Sequence, residues 1–125
     1  MCPRPVNVPT VLIVDDQEDI RLMLQILFED QGWDIEVAAS GEDALGREDR
    51  AARFDAVVVD YKMPGLDGME VARKFREAGC TRPIIICSAY LNPHLEREAR
   101  TLGAETVSKS DLKELVETIR REVRE

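Results

Sequence analysis

Apolar and polar positions follow two rhythms along this chain. Three runs carry no polar interruption: Val11-Leu12-Ile13-Val14, Val57-Val58-Val59 and Ile84-Ile85-Ile86-Cys87 after Pro83. Short unbroken apolar runs rich in β-branched residues predict strands buried on both faces, the kind that belongs in a parallel sheet. Asp34-Ile35-Glu36-Val37 alternates and suits a strand nearer the sheet edge, while Ala104-Glu105-Thr106-Val107-Ser108 is the weakest strand, short and polar.

Between these runs the period becomes helical. Ile20, Met23, Leu24 and Leu27, widened by Leu22 and Ile26, give residues 18–31 a core-facing stripe, with Asp16 as a cap and Gly32 as a stop. Ser40 opens a short second helix through about Ala52, with Ala44 and Leu45 inward and Arg47, Glu48, Asp49 and Arg50 in solvent. Asp67 and Glu70 have capping-box spacing ahead of a helix with Val71, Ala72, Phe75 and Ala78 inward. Pro93 starts a fourth helix whose thin stripe, Leu95, Ala99 and Leu102, predicts above-average mobility. Ser110 or Asp111 caps a fifth, striped by Leu112, Leu115, Val116, Ile119 and Val123.

Strands and helices in strict alternation predict an α/β fold: a doubly wound five-stranded parallel sheet, order 2-1-3-4-5, with five helices on both faces. Residues 1–9, with three prolines, read as a flexible lead-in, and residues 10–125 as one domain large enough for a hydrophobic core.

Charge and composition narrow the partners. The net charge of −8 argues against nucleic acid or an anionic membrane as the main partner, and no apolar run nears the roughly 20 residues a membrane span needs. Three cysteines without CxxC spacing suggest neither disulfides nor zinc, and fit a reduced, cytoplasmic compartment. With no glycine-rich phosphate cradle, a bound nucleotide is not expected.

The predicted topology brings Asp15, Asp16, Asp60, Ser88 and Lys109 to one edge of the sheet, at the carboxyl ends of the strands where such folds place ligands. Asp60 alone could do no more than end a strand, and one aspartate of the pair could be a helix cap. Three crowded carboxylates repel one another unless a cation intervenes. Oxygen-only ligands suit Mg²⁺ (or Mn²⁺), which keeps waters and takes phosphate oxygens. Mg²⁺, a free carboxylate, an ammonium and a hydroxyl are parts for phosphoryl transfer onto Asp60.

These residues resemble the response-regulator receiver domain of two-component signalling, over residues 10–124. The resemblance rests on Asp15-Asp16 after the first strand, on Asp60-Tyr61-Lys62-Met63-Pro64-Gly65-Leu66-Asp67-Gly68, on Ser88-Ala89 after the fourth strand and on Lys109 after the fifth. It implies a phosphorylation-dependent switch rather than an enzyme, with Asp60 as phosphoacceptor from a phosphohistidine on a sensor histidine kinase or histidine phosphotransfer protein. Asp16, Asp60 and the backbone carbonyl of Lys62 would bind the metal, and Asp15 would help through water. Ser88 would turn toward the phosphoryl group and Lys109 would pair with its oxygen.

The family's pattern also marks Lys62 and Tyr90 as positions that modulate hydrolysis of the acyl phosphate. Two features depart from it: Thr106 stands where an aromatic switch residue is usual, and Ser110 where many members carry proline. A pseudo-receiver that never accepts phosphate is one alternative. A Mg²⁺-dependent aspartyl-phosphate phosphatase is another, although such enzymes usually want an acid at position 62 and a cap domain. No output domain follows Glu125, so a stand-alone receiver, a phosphorelay intermediate and a piece of a longer regulator with its output elsewhere all stay open. Of the remaining residues, His94 reads as surface, Trp33 as buried at the sheet edge, and Met63 and Leu66 as exposed partner contacts.

Overall fold

The uninterrupted apolar runs are strands. A computed structural model of the protein describes residues 8–46 and 54–123. The elements run β1 (Thr10–Val14), α1 (Glu18–Glu29), β2 (Asp34–Ala38), α2 (Gly41–Leu45), β3 (Ala56–Asp60), α3 (Gly68–Glu77), β4 (Ile84–Ser88), α4 (Pro93–Thr101), β5 (Glu105–Ser108) and α5 (Leu112–Val123). All strand pairs are parallel, in the order β2-β1-β3-β4-β5. The second helix ends at Leu45 with Gly46 as its C-cap, short of the expected Ala52; residues 1–7 of the lead-in and residues 47–53, with the charged positions 47–50, lie outside the described residues.

Strand alternation divides the core in two. Leu12, Val14, Val57, Val59, Ile84 and Ile86 pack under α2, α3 and α4, against Phe75, Leu95 and Ala99 among others. Val11, Ile13, Val58, Ile85, Cys87 and Val107 pack under α1 and α5, against Phe28, Leu115 and Ile119. Each fully buried Val, Ile or Phe contributes about 1.5–3 kcal/mol, so the three central strands anchor both layers. Trp33 is buried beside Phe28, with ring centroids 5.6 Å apart, at the β2 edge.

Helix ends follow local chemistry closely. Asp67 and Glu70 close the capping box at 2.9 Å in both directions; Ser40 and Asn92 cap α2 and α4. Asp111 accepts the Glu114 N–H at the start of α5, while Ser110 pairs with the Ser108 hydroxyl.

Four other expectations change. Asp16 does not cap α1; Gln17 holds the N-cap position without a side-chain bond, because the turn is tied by Asp15 instead. Leu22, Met23 and Ile26 are exposed, since the face buried by α1 is centred on Leu24 and Phe28. Met63 is buried and Leu66 partly buried against the core under α2 and α3, so neither is an exposed contact. Ala78 is exposed at the end of α3.

Candidate functional site

The loops that leave β1, β3, β4 and β5 meet at one edge of the sheet, and parallel pairing sets their ends level. Val14 lies beside Val59, Asp60 beside Cys87 and Ser88 beside Ser108. Asp15 continues β1 and Lys109 continues β5, so both reach Asp60 without a long excursion. Carboxylate oxygens of Asp15, Asp16 and Asp60 lie within 4.8 Å of one another. The Lys109 ammonium stands 3.0 Å from Asp60 Oδ2 and 3.5 Å from Asp15 Oδ2.

Asp15 and Asp60 are buried, whereas Asp16 is exposed. Asp15 is held at every polar group. Its N–H donates to the Ala38 carbonyl (3.2 Å), its carboxylate accepts the Gln17 N–H (2.9 Å) and its carbonyl accepts Arg21 Nη1 (2.8 Å). Gly68 lets α3 start against the Asp60 turn: a Cβ there would sit 2.6 Å from the Asp60 carbonyl oxygen and 2.8 Å from Tyr61 Cα. Only a residue without a side chain allows that approach.

The electrostatics match a site built for a cation. Burial raises the Asp60 pKa, Asp15 and Asp16 push it further, and the hydrogen bond and charge of Lys109 oppose them without prevailing. At Lys109 burial favours the neutral amine, but the bond to Asp60 and the charges of Asp15 and Asp60 outweigh it and raise the pKa. Cys87, behind Asp60, is pushed up to about 12 by burial and then by the Asp60 charge, which keeps it a thiol and a small hydrophobe. Three carboxylates answered by one ammonium leave negative charge over, and this oxygen-only donor set fits Mg²⁺ or Mn²⁺.

Ser88 is buried at the same edge, but its hydroxyl is engaged in its own loop. It donates to the Tyr90 carbonyl (3.0 Å) and accepts the Tyr90 N–H (3.2 Å). Lys62 and Tyr90 are exposed, Tyr90 at 84%. Thr106 pairs with Ile86 on the α4 face of the sheet, where a cleft of about 380 Å³ lies between it and Glu96 and Arg100 of α4. Arg21 escaped the pattern reading as a part of the site, because an arginine in an amphipathic helix looks like any solvated cation; Gly68 was in the motif after Asp60, and its close approach to the Asp60 carbonyl shows why glycine stands there.

A doubly wound parallel sheet with an acidic cluster and a lysine at its switch point defines a receiver-type α/β domain. Residues 11–120 match the response regulator receiver domain, and the chain belongs to that family. It is similar to sporulation initiation phosphotransferase F of Bacillus subtilis, 36% identical over 96 residues that make up 77% of each chain. Similarity to the B. subtilis transcriptional regulatory protein ResD is 37% over 83 residues, 66% of this chain but 34% of that one, so this chain spans about a third of such regulators. Among solved structures, chemotaxis protein CheY4 of Vibrio cholerae superposes with a TM-score of 0.83 at 30% identity, covering 92% of this chain and 98% of that one. Thermotoga maritima response regulator TrrA, solved in complex with Mg²⁺ and beryllium fluoride, gives 0.79 at 29% identity, with coverage of 91% and 98%.

Proposed function

We propose that this receiver domain is a phosphorylation-operated switch. Asp60 accepts a phosphoryl group from a phosphohistidine on a sensor histidine kinase or histidine phosphotransfer protein, and the domain then changes the surface it offers a downstream protein or an output domain outside this chain. The observation that carries this reading is the pairing of Lys109 with Asp60 at 3.0 Å inside the Asp15, Asp16, Asp60 cluster. A carboxylate, an ammonium and an acid pair able to take a cation are together suited to holding and transferring phosphate.

An Asp60 oxygen attacks phosphorus as the bond to the donor imidazole nitrogen breaks, and the electron pair of that bond stays with the nitrogen. Lys109 is placed to pair with a phosphoryl oxygen once the Asp60 charge is shared. The Ser88 hydroxyl, now bonded to the Tyr90 backbone, would turn to donate to another. Asp16, Asp60 and the backbone carbonyl of Lys62 would hold Mg²⁺ or Mn²⁺, with Asp15 acting through water. When bound, the ion neutralises charge between carboxylate and phosphoryl oxygens. Lys62 and Tyr90, exposed in the loops after β3 and β4, tune access of water to the acyl phosphate.

The donor approaches over α1. Met23 lines the same crevice as Asp15, Asp60 and Lys109, and Leu22 and Ile26 continue an exposed apolar surface away from it. No described helix is long and apolar enough to cross a membrane, and a cytoplasmic location suits a phosphohistidine partner. The test is incubation with acetyl phosphate and Mg²⁺, read by intact mass, with Asp60→Asn alongside. A single phosphoryl adduct absent from the variant supports the switch. No adduct would point to a pseudo-receiver, and sustained turnover of unrelated phosphomonoesters to a phosphatase.

A further inference from the structure

The loop after β1 carries two of the three carboxylates, and it is held from inside α1. Asp15 is fixed at its own polar groups: its N–H donates to the Ala38 carbonyl (3.2 Å) and its carboxylate accepts the Gln17 N–H (2.9 Å). Asp16 is placed differently. It is exposed, yet its carboxylate reaches the buried pair, with oxygens of Asp15, Asp16 and Asp60 all within 4.8 Å of one another. The start of α1 gives the loop no side-chain cap, because Gln17 at the N-cap makes no such bond.

Arg21 supplies the hold. At the end of the first turn of α1 its N–H donates to the Gln17 carbonyl (3.0 Å), and its side chain folds back six residues so that Nη1 donates to the Asp15 carbonyl (2.8 Å). That carbonyl shares one rigid peptide plane with the N–H and Cα of Asp16. Fixing the plane therefore fixes the direction in which the Asp16 side chain leaves the backbone. The bond is charge-assisted and partly buried, and a planar guanidinium makes it, so it is a firmer tie than a neutral loop contact.

We propose that Arg21 is a positioning residue of the cation site: through the Asp15 carbonyl it aims Asp16 at Asp15 and Asp60, and so sets how tightly the acid cluster takes Mg²⁺ or Mn²⁺. The proposal rests on the reading of these three aspartates as the cation-binding part of the phosphoacceptor site. The charge of Arg21 and its bond act in opposite directions. A guanidinium beside an acidic cluster disfavours a divalent cation through space, whereas an outer partner that orients a ligand raises affinity, its loss costing about 10- to 100-fold. The sign of the change on removing Arg21 separates the two roles.

Calorimetric titration of the full chain with Mg²⁺, alongside amide hydrogen exchange on the metal-free protein, tests the role. Arg21→Met keeps an unbranched stem but loses both charge and donor, and it should weaken Mg²⁺ binding by about tenfold or more. Without metal, exchange at Gln17 should quicken by about threefold or more, while Leu12 and Ile13 of β1 keep the wild-type rate. Arg21→Lys, which keeps the charge and presents a donor on a shorter arm, should recover part of both losses and serves if the methionine variant does not fold. Binding of Mg²⁺ as tight as, or tighter than, wild type in these variants overturns the positioning role and leaves the phosphoacceptor reading intact. A wild type that binds no Mg²⁺ overturns both.

Discussion

Asp60 is a compromise between folding and chemistry. Its carboxylate is buried beside Asp15 and Asp16, and Lys109 does not fully offset them, so its pKa lies above the ordinary carboxylate value of 3.8. A raised acid pKa means that the folded state binds a proton better than the unfolded chain does. The contribution of Asp60 to stability is therefore greatest in acid and falls as pH climbs through the window between 3.8 and the raised value. At neutral pH without a divalent cation, Asp60→Asn should then stabilise the fold, on the order of 1 kcal/mol or about 4 °C in Tm. Mg²⁺ should raise the wild-type Tm and do little to the variant, and thermal melts with and without Mg²⁺ read both effects. The same proton would block the proposed attack of Asp60 on phosphorus. Labelling by acetyl phosphate should fall with acidification at a pH above the ordinary 3.8, and added Mg²⁺ should move that fall to lower pH; initial rates across a pH series measure it.

At the scale of elements, the site depends on where helices begin. The α3 capping box starts that helix at Gly68, against the Asp60 carbonyl. Gly68→Ala puts a methyl where the turn already is, so α3 must retreat at a cost of about 1–3 kcal/mol, and Mg²⁺ affinity should fall with it; a melt and a Mg²⁺ titration together check this. Ile26→Asp on the outer face of α1 makes the opposite test. It should leave the Tm and acetyl phosphate labelling unchanged yet slow transfer from a phosphohistidine donor by about tenfold or more, because only the protein donor needs that surface. These elements differ in how openly the sequence declares them. Central strands are legible because burial on both faces forces unbroken apolar runs, and Asp67 with Glu70 is legible because a capping box is local. The outward residues of α1 were not, since an apolar stripe wider than the buried face cannot say which edge stays exposed. The Asp15 tie that displaced Asp16 from the cap, the Arg21 bond to the Asp15 carbonyl and the Ser88 to Tyr90 bonds depend on contacts that periodicity does not encode.

Across the whole molecule, the sheet separates two layers. Asp60 and Lys109 line a crevice with Met23 and Leu24 of α1 and Leu112 and Leu115 of α5, while α2, α3 and α4 cover the other face of the sheet. The order β2-β1-β3-β4-β5 joins the two at the single edge where Asp15, Asp16, Asp60 and Lys109 meet. That convergence was readable from strand ends because parallel topology sends every carboxyl end to the same side. The central claim is that Asp60 carries the phosphoryl group. After treatment with acetyl phosphate and Mg²⁺, borohydride reduction followed by peptide sequencing in the mass spectrometer converts an aspartyl phosphate to homoserine at its own position. The account predicts homoserine at position 60 alone. Homoserine at position 15 or 16 instead, or at no aspartate, would contradict it.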